Sequence, residues 1–241
     1  MIDSALSYKN DMAGLFVRST GVMTMRVVAI ALCCLTPFIA TTALAGGQDR
    51  LPDHKAAVSQ VFWPQLYAGA GTTLYCGKAF TGESGLLAAS PVYSIKQIKS
   101  ALRCVTDSQC KSANAQYPFM LADLHNLYPE LARVELARRN ALFGMVGDVP
   151  SKFGAECDLR TSFQLVEPRD AAKGNVARAI FYMHIEYGLP IVGQVQMFKE
   201  WHRLDPVDAE ERARNEQIAA LQGTRNRFID DPGLVDRLIP D

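Results

Sequence analysis

Asp123-Leu124-His125-Asn126-Leu127-Tyr128-Pro129 sets three polar side chains among apolar ones, just ahead of a proline. The run from Phe119 to Leu127 suits a helix. On such a helix Asp123 and Asn126 are three residues apart and share a face. Both carry an oxygen that suits a hard cation, Asn126 as an amide and Asp123 as a carboxylate. His125 would point about 100° away from Asn126 on a helix of about 3.6 residues per turn. In the plainer reading Asn126 cross-links locally and Asp123 is a surface or capping residue.

Upstream, Ala56 to Tyr67 places Val58, Val61, Phe62 and Leu66 on one helical face. Thr72 to Cys76 alternates as a strand does, and residues 81–91, with Gly82 and Gly85, read as loop. Tyr93 to Leu102 has helical spacing, and the polar, proline-broken segment 111–118 reads as a connection. Downstream, Arg133 to Phe143 has helical character and leads to a turn through Gly147 and Gly154. Ala171 to Tyr187 predicts a long helix stopped by Gly188 and Pro190, and Val192 to His202 predicts another. Asp208 is placed to cap a helix over Ala209–Leu221, with Glu211 completing a capping box and Gly223 ending it. The sum is an α+β domain, predominantly helical, with short strands and long loops in its first half.

The beginning of the chain reads differently. Arg26, the apolar run Val27–Ala40 and the ending Thr-Thr-Ala43-Leu44-Ala45 predict a secretory signal cleaved after Ala45. The run is shorter than the ~20 residues that span a bilayer, so no stable membrane anchor is expected. Residues 1–45 are therefore set apart from a domain over 46–241, expected in the periplasm or outside the cell. Of 25 basic and 25 acidic residues, that segment takes Lys9, Arg18, Arg26, Asp3 and Asp11, leaving 22 and 23. A protein that neutralises many phosphates usually carries a basic excess, so any nucleic-acid footprint must be local. Four cysteines remain in the exported part: Cys76, Cys104, Cys110 and Cys157. In an exported chain they read as two disulfides, for which three pairings exist. Cys104 and Cys110 are near enough to close a small loop, which pairs Cys76 with Cys157.

The chain resembles the bacterial endonuclease I family of periplasmic and extracellular nucleases. The resemblance rests on Thr73-Leu-Tyr-Cys-Gly77, the Asp123–Pro129 stretch, Phe153-Gly154 with Cys157-Asp158, and Val166-Glu-Pro-Arg169. It continues through Gly174-Asn-Val-Ala-Arg-Ala179, Trp201 with Asp205-Pro206, and Gln222-Gly-Thr-Arg-Asn226. It implies a ββα-metal (His-Me finger) domain that cleaves DNA or RNA. In that chemistry a histidine is the general base, and a Glu and an Asn hold a Mg²⁺-type ion. An arginine helps hold the phosphate. The Asn maps onto Asn126.

Elsewhere the sequence departs from that pattern. Aligned on Cys104, the Glu-His pair falls at Ser90 and Pro91, and the arginine of the cysteine loop falls at Asp107. A further Asn position reads Glu135, ahead of Arg138. Residues 77–104 hold no histidine at all. Proline has no titratable group, and serine is a poor ligand for a cation that prefers carboxylate. Loss of a general base alone costs about 10²–10⁴ in rate. The resemblance thus implies a metal-dependent DNA/RNA endonuclease, and these departures predict one that is impaired or inactive. The alternative is a module that binds nucleic acid, or a protein partner, without catalysis. Candidate nucleic-acid contacts are Arg138, Arg169 and Arg178, and His125 is the candidate replacement base. His54, His184 and His202 lack metal-ligand spacing and read as surface or packed histidines.

Overall fold

The computed structural model describes residues 46–139 and 141–241. The expected signal segment lies outside them. Among the described residues no helix is long and apolar enough to cross a membrane.

The domain opens with an α-helical turn, α1 (His54–Ala56), capped by the Asp53 side chain and continued by a π-helical stretch over Ala57–Leu66. Two short strands, β1 (Gly71–Thr72) and β2 (Ala79–Phe80), form an antiparallel pair. Strand β3 (Leu87–Pro91) leads into α2 (Ile95–Ala101), α3 (Asp107–Ala113) and α4 (Tyr117–Ala122). Strand β4 (Leu127–Leu131) returns antiparallel to β3 and passes directly into α5 (Ala132–Arg138). These three elements make a strand–strand–helix unit. Strands β5 (Leu142–Phe143), β6 (Arg160–Ser162) and β7 (Leu165–Glu167) form a small sheet in the order β5-β7-β6. The chain finishes with α6 (Asp170–Tyr187), α7 (Val195–Leu204), α8 (Ala209–Gln222), α9 (Arg227–Asp230) and α10 (Leu234–Leu238). The architecture is α+β and mostly helical, as expected.

Helix α6 is the centre of the larger core. Val176, Ala177, Ala179, Ile180, Phe181, Tyr182 and Met183 are all buried, so it is covered on most of its circumference. Phe198 and Trp201 of α7 pack against it, with Phe181 and Phe228 edge to face. Close approach requires Gly174, where a Cβ would meet the Asp205 carbonyl oxygen at 2.0 Å. Gly188 ends the helix at φ 65°, a left-handed conformation that favours glycine. A smaller core joins Phe62, Trp63, Leu66, Leu124, Leu127 and Ile218.

Several local expectations are corrected. The helix expected to run to Leu127 stops at Ala122. The Asp123 carboxylate accepts the His125 N–H at 2.9 Å, which gives the backbone a turn in place of another helical bond. Residues 81–91 are not all loop, because Leu87–Pro91 pairs with a strand some forty residues later in register Leu87↔Leu131 to Pro91↔Leu127. The helix α3 replaces part of the expected connection, started by a capping box between Thr106 and Gln109. The expected strand Thr72–Cys76 keeps only Thr72, since Gly77 N–H closes back onto the Thr73 carbonyl at 2.8 Å. The helix foreseen over Arg133–Phe143 ends at Arg138, and Leu142–Phe143 joins β7 in parallel. The helix foreseen from Val192 begins at Val195. Asp208 caps α8 as expected, but the Glu211 carboxylate goes to Arg178. The disulfides are Cys104–Cys110 and Cys76–Cys157, as expected.

Candidate functional site

The strand–strand–helix unit brings the departing positions together. Register sets Ser90 opposite Tyr128 and Pro91 opposite Leu127. Ser90 is fully buried, and its hydroxyl donates to the Glu135 carboxylate on α5. Arg138, one turn further along α5, reaches the same carboxylate with Nε at 3.4 Å. Its Nη1 donates to the Val92 carbonyl at 3.1 Å, and its Nη2 donates to the carbonyl of Pro91. The guanidinium lies 5.5 Å from the ring centres of both Tyr75 and Phe143. Thus Arg138, 1% exposed, fastens the end of β3 to α5 and is enclosed by aromatic faces.

Asn126 fastens the same strand from the other side. Its Oδ1 accepts the Tyr93 N–H at 2.6 Å, and its Nδ2 donates to the Tyr93 carbonyl at 3.0 Å. Its own carbonyl accepts the Val92 N–H at 2.9 Å. Asn126 thus serves as a cross-link, but one to a residue 33 positions away rather than a local one.

Asp123 is not a surface residue; it is fully buried. Tyr187 and Tyr182 hydroxyls donate to it at 2.6 and 3.0 Å, and Gln222 Nε2 donates at 2.9 Å. The neighbouring His125 is 1% exposed, with Nε2 3.0 Å from the Thr224 carbonyl and Nδ1 buried without a partner among the described residues. Burial pulls its pKa down to about 4, so it is neutral at pH 7. A base sealed in this way has no route to a polymer substrate.

The remaining candidates are dispersed. Asp107 is exposed within the Cys104–Cys110 loop, where Lys99 at 2.8 Å and the Tyr117 hydroxyl at 2.7 Å hold its pKa below the usual carboxylate range. Arg178 is 1% exposed, forked onto Glu211 with Nε–Oε1 at 2.9 Å and bound to the Asp205 carbonyl at 2.8 Å. Arg169 donates to the Leu74 carbonyl at 3.0 Å and is partly exposed. Two of the three arginines named as nucleic-acid contacts, Arg138 and Arg178, are thus interior residues.

His54, read from the sequence as a surface or packed histidine, is partly exposed. Two clefts, of about 400 and about 440 Å³, share His54 and Ile95 in their walls. The first also holds Pro91, Lys96, Glu135 and Arg139; the second holds Lys55, Lys99, Asp107 and Lys111. His54 Nδ1 lies 2.6 Å from the Leu121 carbonyl. Nothing in the local spacing marks it, because its neighbours in the cleft come from β3, α2 and α5.

A Mg²⁺-type ion finds poor ligands at the positions implied by the family pattern. The Ser90 hydroxyl is directed at Glu135, and both ends of the Asn126 amide are engaged by Tyr93. Glu135 is ion-paired to Arg138. Among the described residues no three His, Cys, Asp or Glu side chains converge as a ligand set.

A family model described as Endonuclease I matches residues 100–233. The chain is 33% identical over 224 residues to an extracellular deoxyribonuclease of Aeromonas hydrophila, covering 82% of this chain and 95% of that one. It is 34% identical over 121 residues to a periplasmic deoxyribonuclease of the same organism, covering 48% of this chain and 51% of that one. With an extracellular ribonuclease of Bacillus subtilis (strain 168) it shares 35% identity over 137 residues, 49% of this chain and 46% of the relative.

Proposed function

Since this chain belongs to the endonuclease I family, we propose that it acts on nucleic acid outside the cytoplasm while the family's metal-dependent hydrolysis is lost or severely attenuated. The names of its relatives, extracellular and periplasmic nucleases for DNA and for RNA, support the substrate class and an exported location. The single observation behind the impairment is the Ser90–Glu135–Arg138 contact, which fills the end of β3 with a closed ion-paired network. No imidazole stands at Pro91 to take a proton from water, and no free carboxylate stands at Ser90 to hold an ion. Losing both costs more than the loss of either, although such losses need not multiply.

The test is supercoiled plasmid with the disulfide-bonded protein and Mg²⁺ or Mn²⁺. The unmodified chain is expected to leave the plasmid closed. Ser90→Glu with Pro91→His and Glu135→Asn returns the family's residues while removing the carboxylate that would otherwise face the new Glu. Nicking by the unmodified chain that disappears in Asn126→Ala would refute the impairment.

A further inference from the structure

We propose that His54 is the general base for cleavage of single-stranded RNA lying in the cationic groove formed by the two clefts it joins. The inference takes from the preceding reading only that the substrate is nucleic acid.

The tautomer comes first. A carbonyl oxygen can only accept, so at 2.6 Å from Leu121 the Nδ1 of His54 carries the ring proton. The lone pair of the neutral ring is then on Nε2, with its orientation held by the bond on the opposite nitrogen. His54 is partly exposed and stands in the wall of the cleft that also holds Pro91, the position aligned with the family's base. An imidazole from α1 therefore shares a cleft wall with the end of β3, which has none. The other histidines are differently placed. His125 and His202 are buried, and His184 binds the Leu189 carbonyl at 2.7 Å near the end of α6.

Charge supplies the second argument. Asp107 is paired with Lys99, and Glu135 with Arg138. Lys96 and Arg139 in the first cleft, and Lys55 and Lys111 in the second, have no ion pair among the described residues. Against them stands one carboxylate without an ion pair, Asp53 in the second cleft, which accepts the Ala56 N–H, so the two clefts keep a basic excess within a chain of equal acidic and basic count. The cations can hold a phosphate backbone and stabilise charge that develops on phosphorus oxygens.

Chemistry selects RNA over DNA. Attack by water needs activation of both nucleophile and leaving group, and Ser90 and Asn126 are committed elsewhere. RNA carries its nucleophile beside the phosphorus, so no water has to be bound and positioned for attack, and the 5′-oxygen is left to solvent for its proton. His54 Nε2 takes the proton of the ribose 2′-hydroxyl, the 2′-oxygen bonds to phosphorus, and the bond from phosphorus to the 5′-oxygen breaks. The departing 5′-oxygen takes a proton from water, and the hydroxide that remains takes the proton back from His54. The products are a 2′,3′-cyclic phosphate and a free 5′-hydroxyl.

The experiment uses the full disulfide-bonded chain, a fluorescein-labelled single-stranded RNA oligonucleotide in EDTA, and the DNA of equal sequence. Expected are RNA fragments ending in 2′,3′-cyclic phosphate by mass spectrometry, with intact DNA. His54→Gln should lower the rate by about 10²–10⁴, while RNA affinity by anisotropy stays within about twofold. His184→Gln, which alters a carbonyl-bound histidine elsewhere, should match the unmodified chain, and thermal melts of both variants exclude a folding defect. RNA that is bound and left uncut, or cut equally by His54→Gln, would overturn the role of His54. RNA that is neither bound nor cut would overturn the nucleic-acid reading as well. Plasmid nicking with Mg²⁺ bears on the impairment alone.

Discussion

The hydroxyl of Ser90 donates to the carboxylate of Glu135, so two positions that depart from the family pattern are each other's partner. The carboxylate missing from β3 has a counterpart on α5. There it is held by Arg138, whose guanidinium also binds the Pro91 and Val92 carbonyls. What would serve an ion as a ligand serves here as the anchor of a buried cation.

That arrangement predicts coupled stability effects. Glu135→Ala leaves Arg138 buried without its counter-charge and should cost about 3 kcal/mol. Ser90→Glu alone sets two carboxylates against each other and should destabilise by about 2 kcal/mol or more. Adding Glu135→Asn should recover most of that loss. Urea unfolding of the double-mutant cycle measures the coupling, and additive effects would contradict the contact.

Two buried groups should give opposite pH dependences. Burial raises the pKa of Glu130 from 4.5 to about 7, against the N–H bonds it accepts from Leu131 and Tyr75. Between those values the folded state binds more protons than the unfolded one, so stability falls as pH rises. His125, lowered from 6.5 to about 4, behaves in the reverse sense. Its unfolded state binds more protons in that window, so stability falls as pH drops from 6.5 toward 4. Each contributes about 3 kcal/mol across its window and the two largely cancel near pH 5–6. Glu130→Gln should expose a stability that rises with pH there, and His125→Gln one that falls. Identical slopes in both variants would refute the assignment.

The disulfides should differ in worth. Cys76–Cys157 closes a loop with a separation of 81 residues and Cys104–Cys110 one with a separation of 6. Chain-entropy arguments give about 4.5 and about 2 kcal/mol respectively. Double Cys→Ser variants, compared by chemical denaturation, should rank in that order. The shorter bridge also holds the loop bearing Asp107, so its loss should loosen the Asp107–Lys99 pair on the groove wall.

Legibility followed the range of the signal. Helix α6 and its Gly188 stop, the Asp208 cap of α8 and both cysteine pairs rest on neighbours in sequence or on parity, and were read from the chain. The capping box Thr106–Gln109 is equally local, but the polar segment after it masks the short helix it starts. Strand β3 was missed for a different reason. Leu87-Ala88-Ala89 has no β-branched residue, and its partner is β4, far along the chain. Burial of Asp123 depends on hydroxyls from α6 and an amide from α8, which no local window contains. His54 reaches the cleft wall only through tertiary placement, and Glu135 meets Ser90 across 45 residues of sequence.

The Asp123–Asn126 turn has a consequence for how such chains are sorted. Tyr182, Tyr187 and Gln222 converge on Asp123, Arg214 binds the Leu124 and Leu127 carbonyls, and Asn126 grips Tyr93. The signature by which a nuclease would be recognised is here the joinery between its first and last thirds. A change that left those contacts in place would leave the signature readable whatever happened to the residues at the end of β3. A genome survey that tallies it counts frames, and says nothing by itself about the side chains that cut.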